Sequence, residues 1–262
     1  MNIIVCIKQV PDTTEVKIDP VTNTLIRQGV PSIVNPFDKN AVEAALQLKG
    51  KHGGTVTVIS MGPPQAQDAL KECLAMGADS AVLISDRAFG GADTLATSYA
   101  LAAAIRKLGQ YDVIICGKQA IDGDTAQVGP ETAEHLGIAQ VTYVAKMELT
   151  GDTMKVEREH EDGYEVIEVK LPVLVSVIKS AEYEPRFPSV KGTMKANRTV
   201  IPVWTAADVQ ADEERIGLKG SPTKVSKIFS PPRRTQGVVI QQDTARDNVT
   251  ALLEKLSEAK II

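Results

Sequence analysis

The residues Gly117-Lys118-Gln119-Ala120-Ile121-Asp122-Gly123-Asp124-Thr125-Ala126-Gln127-Val128-Gly129-Pro130 follow directly on the apolar run Val113-Ile114-Ile115-Cys116. A short apolar run bounded by turn residues reads as a buried strand. Gly129-Pro130 then opens a helix, since Pro is pre-organised for the first helical position and Gly is accepted just before it. A strand–loop–helix of this kind leaves unpaired N–H groups at the helix start, where an anionic phosphate binds. Lys118 is the one basic residue in the loop. A phosphate held between Gly117 and Thr132 would therefore rest chiefly on main-chain amides and hydroxyls. The chemistry suggested is nucleotide binding.

Other phosphate and metal motifs are excluded by spacing. No two glycines are separated by a single residue, so the GxGxxG dinucleotide fingerprint is absent. Gly117-Lys118 is followed by Gln119, and position 112 is Asp, which rules out a Walker A loop. Asp122-Gly123-Asp124 hints at calcium, but an EF-hand counted from Asp122 needs Glu at position 133, which is Ala. No nucleophilic or general acid–base set emerges. His52 and His160 sit in polar turns, and His135 lies on the helix after the loop. Cys116, at the end of a buried strand, reads as a small apolar filler. Lys8 and Asp12 are the ionisable pair that could face the site from the first strand. The chemistry must then come from a bound cofactor that the protein positions and tunes.

The elements needed to place this loop recur in βαβ rhythm. Strands are expected at 2–10, 54–61, 81–85 and 112–116, with helices at 37–49, 64–76 and 93–108, the last two stopped by Gly77 and Gly109. Strands apolar on both faces that alternate with helices imply a parallel sheet covered on both sides. Ligands bind such sheets beyond the carboxyl ends of the strands, where strand order reverses. The reversal is expected between the first and fourth strands. Loops at 8–14, 35–38, 61–63, 90–94 and 117–132, each rich in Gly, Pro or Asx, would gather there. After Gly137 come strands at 141–149, 154–159, 164–169 and 173–178, the middle two forming an antiparallel extension. Beyond Ser180 the rhythm stops. Prolines punctuate the chain, and then Val249, Leu252, Leu253 and Leu256 make one helical stripe. That segment either folds back on its own domain or packs against something else.

The totals bound the rest. A chain of 262 residues with 43% hydrophobic content buries a substantial core. A net charge of −4 with no basic stripe argues against nucleic acid. No apolar run approaches a membrane span and no signal-peptide layout is present. Cys6, Cys73 and Cys116 lack CxxC spacing, so a reduced, cytoplasmic setting is expected.

Specific strings carry a family resemblance. Ile4-Val5-Cys6-Ile7-Lys8-Gln9-Val10-Pro11-Asp12, Asn35-Pro36-Phe37 and Gly117-Lys118-Gln119-Ala120-Ile121-Asp122 resemble the beta subunit of electron-transfer flavoproteins. Val156-Glu157-Arg158 through Glu161-Asp162-Gly163, then Glu165-Val166-Ile167 and Leu171-Pro172-Val173-Leu174-Val175-Ser176, are similar to that family's signature. The resemblance runs from Met1 to Ile262. It implies a Rossmann-like, adenine-nucleotide alpha-hydrolase-like α/β domain over 1–182. Over 183–262 it implies a docking segment and a long C-terminal arm that wraps a larger alpha subunit. Glu184-Pro185-Arg186-Phe187 with Val190 and Met194-Lys195-Ala196 resembles the segment that docks on dehydrogenases.

In that family the beta site holds AMP in one group and a second FAD in another. The second group takes electrons from NADH and divides them. One goes to ferredoxin or flavodoxin, and the other through the alpha-subunit FAD to an acyl-CoA dehydrogenase. Val10-Pro11-Asp12-Thr13-Thr14-Glu15-Val16, Gly91-Ala92-Asp93-Thr94-Leu95-Ala96-Thr97 and Gly123-Asp124-Thr125-Ala126-Gln127-Val128-Gly129-Pro130 resemble this bifurcating group. The resemblance places Cys6, Asn35, Phe37, Asp38 and Met61 around the adenosine, and Gly117 to Gly129 with Thr132 around the ADP half. It puts Lys8, Ala92, Thr94 and Thr97 near the remainder of the flavin, and Val10, Pro11, Asp12 and Thr13 on the NADH side. Small and hydroxylated residues at 92, 94 and 97 leave room for a ribityl chain, although Asp93 or Thr94 also suits a helix N-cap. The competing readings are a non-bifurcating subunit that binds AMP and a nucleotide-binding regulatory protein of the universal-stress type. An ATP-pyrophosphatase is disfavoured because Gly90-Gly91-Ala92-Asp93-Thr94 follows the third strand rather than the first.

Overall fold

The computed structural model describes residues 1–12, 31–226 and 237–262. It divides into two compact units, Met1–Ser226 and Lys227–Ile262. In the first, β1 (Asn2–Cys6), β4 (Thr55–Met61), β5 (Ser80–Ile84), β6 (Val113–Gly117), β7 (Ala139–Thr150), β8 (Thr153–His160), β9 (Gly163–Lys170), β10 (Val173–Val177) and β11 (Val203–Trp204) form one sheet. Its order is β11-β5-β4-β1-β6-β10-β7-β8-β9. β1 pairs in parallel with β4 on one side and β6 on the other, so the chain reverses direction of travel between β1 and β6, where the apolar runs predict it. β8 and β9 are antiparallel, the expected extension.

Alternation along each strand divides the core. Ile3, Val5, Val56, Val58, Val113, Ile115, Val173 and Val175 point to one face. There α1 (Pro36–His52), α2 (Gln67–Met76) and α5 (Val190–Arg198) cover them with Ala41, Ala45, Leu48, Leu70, Leu74 and Ala196. Ile4, Cys6, Ile59, Ile84, Ile114 and Leu174 point to the other face, beneath α3 (Thr94–Leu108) and α4 (Val128–Leu136).

Two features depart from the sequence reading, and a third takes one of the two alternatives it leaves open. The first strand is not continuous to Val10. It ends at Cys6, because the Lys8 amide turns to the Asp38 carboxylate, and β2 (Gln9–Pro11) pairs instead with β3 (Ser32–Val34) in a separate antiparallel ladder. α4 begins at Val128, so Pro130 is its third residue rather than its first. The fit is unchanged, since no N–H in the first turn has an intrahelical acceptor. Beyond Ser180 the chain does pack on the body up to Ser226. α5 lies on α2, and β11 extends the parallel sheet beside β5. In the second unit α6 (Ala245–Glu258) is capped by Thr244, and Val249, Leu252 and Leu253 are exposed on it.

Candidate functional site

The exits of β1 and β6 lie side by side, with Cys6 opposite Cys116. Asn35, wholly buried at the entry to α1, ties three segments together. Its amide nitrogen donates to the Gln119 carbonyl at 2.8 Å, and its side-chain oxygen accepts from the Ile121 amide at 3.2 Å. Its own N–H donates to the Lys8 carbonyl at 2.9 Å. One turn on, the buried Asp38 carboxylate accepts the amides of Lys8 at 2.7 Å and Gly117 at 3.1 Å. Burial pushes this carboxyl up to about 7, against the pull of the Lys8, Asn35 and Gly117 donors and the Lys8 charge. Gly117 is required by space, because a Cβ there would overlap the Asp38 carboxylate and the Phe37 main chain.

The loop beyond is built to present amides. Asp124 and Ala126 both sit at φ +55, and Gln127 follows at φ −100, ψ −33. Neighbours of alternating hand turn successive N–H groups to one side, the geometry of an anion-binding nest. Gln127 makes no side-chain cap on α4. Among the described residues, the amides of Thr125, Ala126, Gln127, Val128 and Gly129 find no acceptor. Gly129 lets the helix start close in, since a Cβ there would come within 2.8 Å of Cys116 Sγ. Gln119 donates to the Asp124 carboxylate, and the Asp124 amide donates to the Ala120 carbonyl at 2.8 Å. Lys118 leans over the Tyr143 ring at 4.9 Å, so its charge is directed to β7.

Lys8 crosses the mouth of the crevice to Asp122, at 2.7 and 2.9 Å from its two oxygens. The sequence offers Asp12 as its partner. The fold supplies Asp122 instead, because the exits of β1 and β6 are neighbours in the sheet. The α3 terminus reaches the same loop: Thr94 Oγ1 donates to Glu131 at 3.1 Å and approaches the Gln127 side-chain oxygen at 3.4 Å. Asp93, not Thr94, is the N-cap, accepting from the Ala96 amide at 3.1 Å. Asp93 also accepts from Thr223 Oγ1 at 2.8 Å, and its amide donates to Ser221 Oγ at 2.8 Å. Burial would raise this carboxyl, but these donors hold it below the ordinary Asp value.

Ala92, Thr97, Phe37 and Met61 are half-buried around the same edge, and Ile121 to Thr125 are exposed. Thr132 is buried, with its hydroxyl donated to the Val128 carbonyl at 2.7 Å. Val10 is buried as well, so it supports the β2–β3 ladder rather than presenting a surface. Pro11 and Asp12 are accessible, and Thr13 lies outside the described residues. Burial pushes the Cys6 thiol up to about 12 and the Cys116 thiol well above its usual value, which keeps both neutral fillers.

The segment 182–187 is bolted to α1 by residues that the sequence reading passes over. Asn40, Glu43 and Gln47 share one stripe of α1. Asn40 donates to the Tyr183 carbonyl at 2.7 Å, and Gln47 to the Glu182 carbonyl at 2.8 Å. Glu43 accepts Arg186 Nε at 2.7 Å and Nη2 at 2.8 Å. Arg186 thus faces inward to an ion pair, while Phe187, Val190 and Met194 stand exposed beside Glu184, Pro185 and Lys195.

Comparison with known proteins agrees with this architecture. The family profile described as "Electron transfer flavoprotein domain" matches residues 22–209. The chain is 59% identical over 262 residues to the "Electron transfer flavoprotein subunit beta" of Clostridium acetobutylicum, covering 100% of both. It is 56% identical over 271 residues to the protein of the same name from Megasphaera elsdenii, again covering 100% of both. It is 52% identical over 263 residues to the "Caffeyl-CoA reductase-Etf complex subunit CarD" of Acetobacterium woodii, with 100% of each covered. Matches of this length leave no place for the universal-stress or ATP-pyrophosphatase readings. This chain belongs to the electron transfer flavoprotein family, among its beta subunits.

Proposed function

We propose that this chain is the beta subunit of a cytoplasmic, bifurcating electron-transfer flavoprotein, paired with an alpha subunit and carrying FAD at the β1/β6 crevice. The observation that carries the reading is the row of amides from Thr125 to Gly129, unpartnered among the described residues, beside the α3 terminus. A cradle of main-chain amides fits a pyrophosphate whose charge is met by dipoles instead of basic side chains. Gly117 and Gly129 keep the cradle floor flat, and Asn35 fixes the loop that closes it. The reach of Thr94 to the Gln127 side chain of the loop supports a site that continues to the start of α3, as a dinucleotide longer than AMP would need.

When bound, FAD supplies two-electron acceptance from NADH and one-electron release to two acceptors. The polypeptide's share is to orient the flavin and set its potentials with main-chain dipoles. The proposed acceptors are ferredoxin or flavodoxin and, by way of the alpha-subunit FAD, an acyl-CoA dehydrogenase. The name of the Acetobacterium relative, a subunit of a caffeyl-CoA reductase complex, supports a dehydrogenase of CoA thioesters as partner. The exposed Phe187, Val190 and Met194 are the proposed docking face. α6, whose apolar stripe is uncovered within its own unit, is the proposed grip on the alpha subunit.

A second reading within the family, structural AMP in the same cradle, is favoured by one feature. The amides of the 125–129 turn would serve a single phosphate as well as a pyrophosphate, and in that reading Cys6, Asn35, Phe37 and Met61 surround the adenosine without the α3 residues. Extraction of the co-expressed heterodimer decides between them. Two FAD and no AMP, with reduction by NADH, is the expected result. One FAD with one AMP overturns the bifurcating assignment.

A further inference from the structure

Asp38 has a relation to the crevice that ligand contact does not describe. Its carboxylate lies beneath the site, 6% exposed, with one oxygen on the Lys8 amide and the other on the Gly117 amide. Those amides belong to the first residues beyond β1 and to the last residue of β6, the two strands whose divergence creates the crevice. Gly117 carries no side chain because the carboxylate and Phe37 fill that space. Asn35 ties both arms to the same helix entry as well, through the Lys8 carbonyl on one and the Gln119 carbonyl and Ile121 amide on the other. The spacing of the two arms is therefore set by α1, and one carboxylate grips both.

We infer that Asp38 is a positioning residue: its ionised carboxylate clasps the exits of β1 and β6 at the spacing the nucleotide needs, and protonation releases one arm. This rests on the crevice being the nucleotide site. A carboxylate offers an acceptor to both amides, whereas a carboxylic acid turns one oxygen into an O–H donor facing an N–H. Burial places that change within the physiological range.

Charged and titratable neighbours do not pre-empt it. Cys6 on β1, Cys73 on α2 and Cys116 on β6 are buried thiols held neutral. Lys39 on its own helix pairs with Glu72 of α2 at 2.6 Å. Lys8 pairs with Asp122 at 2.7 Å and is the cation whose charge favours the ionised form.

The signs separate a clasp from simple acid unfolding. The folded carboxyl holds its proton up to about 7, above the ordinary Asp value of 3.8, so between these limits the folded state binds the extra proton. This group then makes the fold more stable as pH falls from 8 to 6, while the clasp weakens. If the ionised form alone binds nucleotide, its fraction falls about tenfold over that interval, and apparent affinity falls with it.

The test titrates the full heterodimer, emptied of beta-site nucleotide, with FAD and AMP in parallel from pH 6 to pH 8. FAD, a pyrophosphate diester, has no phosphate proton to lose in that range. The Lys8 and Gly117 amide signals are followed in selectively labelled beta subunit. Expected are a roughly tenfold weakening of binding at pH 6, a common midpoint near 7 for both amides, and no fall in melting temperature. Asp38→Asn is expected to bind at least tenfold more weakly at pH 8 and to lose the pH dependence. Binding that stays flat in pH, or an unaltered profile in Asp38→Asn, overturns the clasp and leaves the nucleotide site standing. Failure of both ligands to bind at any pH overturns the site reading and the clasp together. Should Asp38→Asn not fold, the wild-type profile and amide titrations decide alone.

Discussion

Replacing Arg186 with Met should destabilise the body and do so in a way that acid reverses. The guanidinium makes two charge-assisted bonds to Glu43, at 2.7 and 2.8 Å, while the Arg186 amide adds a third at 3.2 Å. The Glu43 side chain is 7% exposed and that of Arg186 47%. Removing one partner of a fully buried pair costs roughly 3–5 kcal/mol. Water can reach the half-exposed position left by Arg186, and Gln47 still donates to Glu43 at 3.2 Å, so about 2 kcal/mol is the reasonable loss. That corresponds to roughly 4–8 °C in melting temperature for a body of this size. In the wild type, burial alone would raise the Glu43 carboxyl, but the Arg186 and Gln47 donors hold it below its ordinary value. Its stabilising contribution is present above the unfolded value and lost as pH falls through the folded one. Without Arg186, burial dominates and the shift reverses. The deficit is then full at pH 7 and shrinks as pH falls through the carboxylate range. Urea denaturation of Arg186→Met and of Arg186→Met/Glu43→Gln at both ends of that range measures it. The second change should recover at least about 1 kcal/mol at pH 7. A deficit identical at both pH values, or no recovery in the pair, refutes the reasoning.

Gly117→Ala should cost about 1–3 kcal/mol from overpacking against Asp38 and Phe37, and calorimetry with nucleotide titration should find stability and binding both reduced. Ala126→Gly should relieve the left-handed residue at φ +55 and raise stability by up to about 1 kcal/mol, so a lowered melting temperature counts against the assigned backbone. Lys8→Met removes an exposed ion pair to Asp122 and should change stability by less than about 1 kcal/mol. It should nonetheless speed proteolysis within 118–125, and an unchanged cleavage rate would show that the pair does not hold the loop.

Residues whose role follows from local pattern were legible in the sequence. Continuous apolar runs such as Ile3 to Ile7 and Val113 to Cys116 announce buried parallel strands, and the loop after the second is as rich in small and polar residues as its backbone requires. Roles fixed by distant partners were not. Asn40, Glu43 and Gln47 look like the wet side of α1, yet they face the 182–186 segment. Val203-Trp204 is too short to show any period, and only the free edge of β5 makes it a strand. α5 has few apolar residues and follows Pro188, so its helix rests on the Ser189 cap and the packing on α2. Lys8 had Asp12 nearby in sequence, and nothing local pointed to a carboxylate 114 positions away.

The grip of Asp93 on Ser221 and Thr223 settles where the tail is rooted. Ser226 ends the first compact unit, and the three residues that lead to it from Thr223 reach no more than about 10 Å. The last stretch of that unit is therefore moored at the rim of the crevice, on the residue that caps α3. A displacement of the 221–226 stretch would be felt first at the helix end beside the cradle, and a change in how α3 begins shifts the mooring.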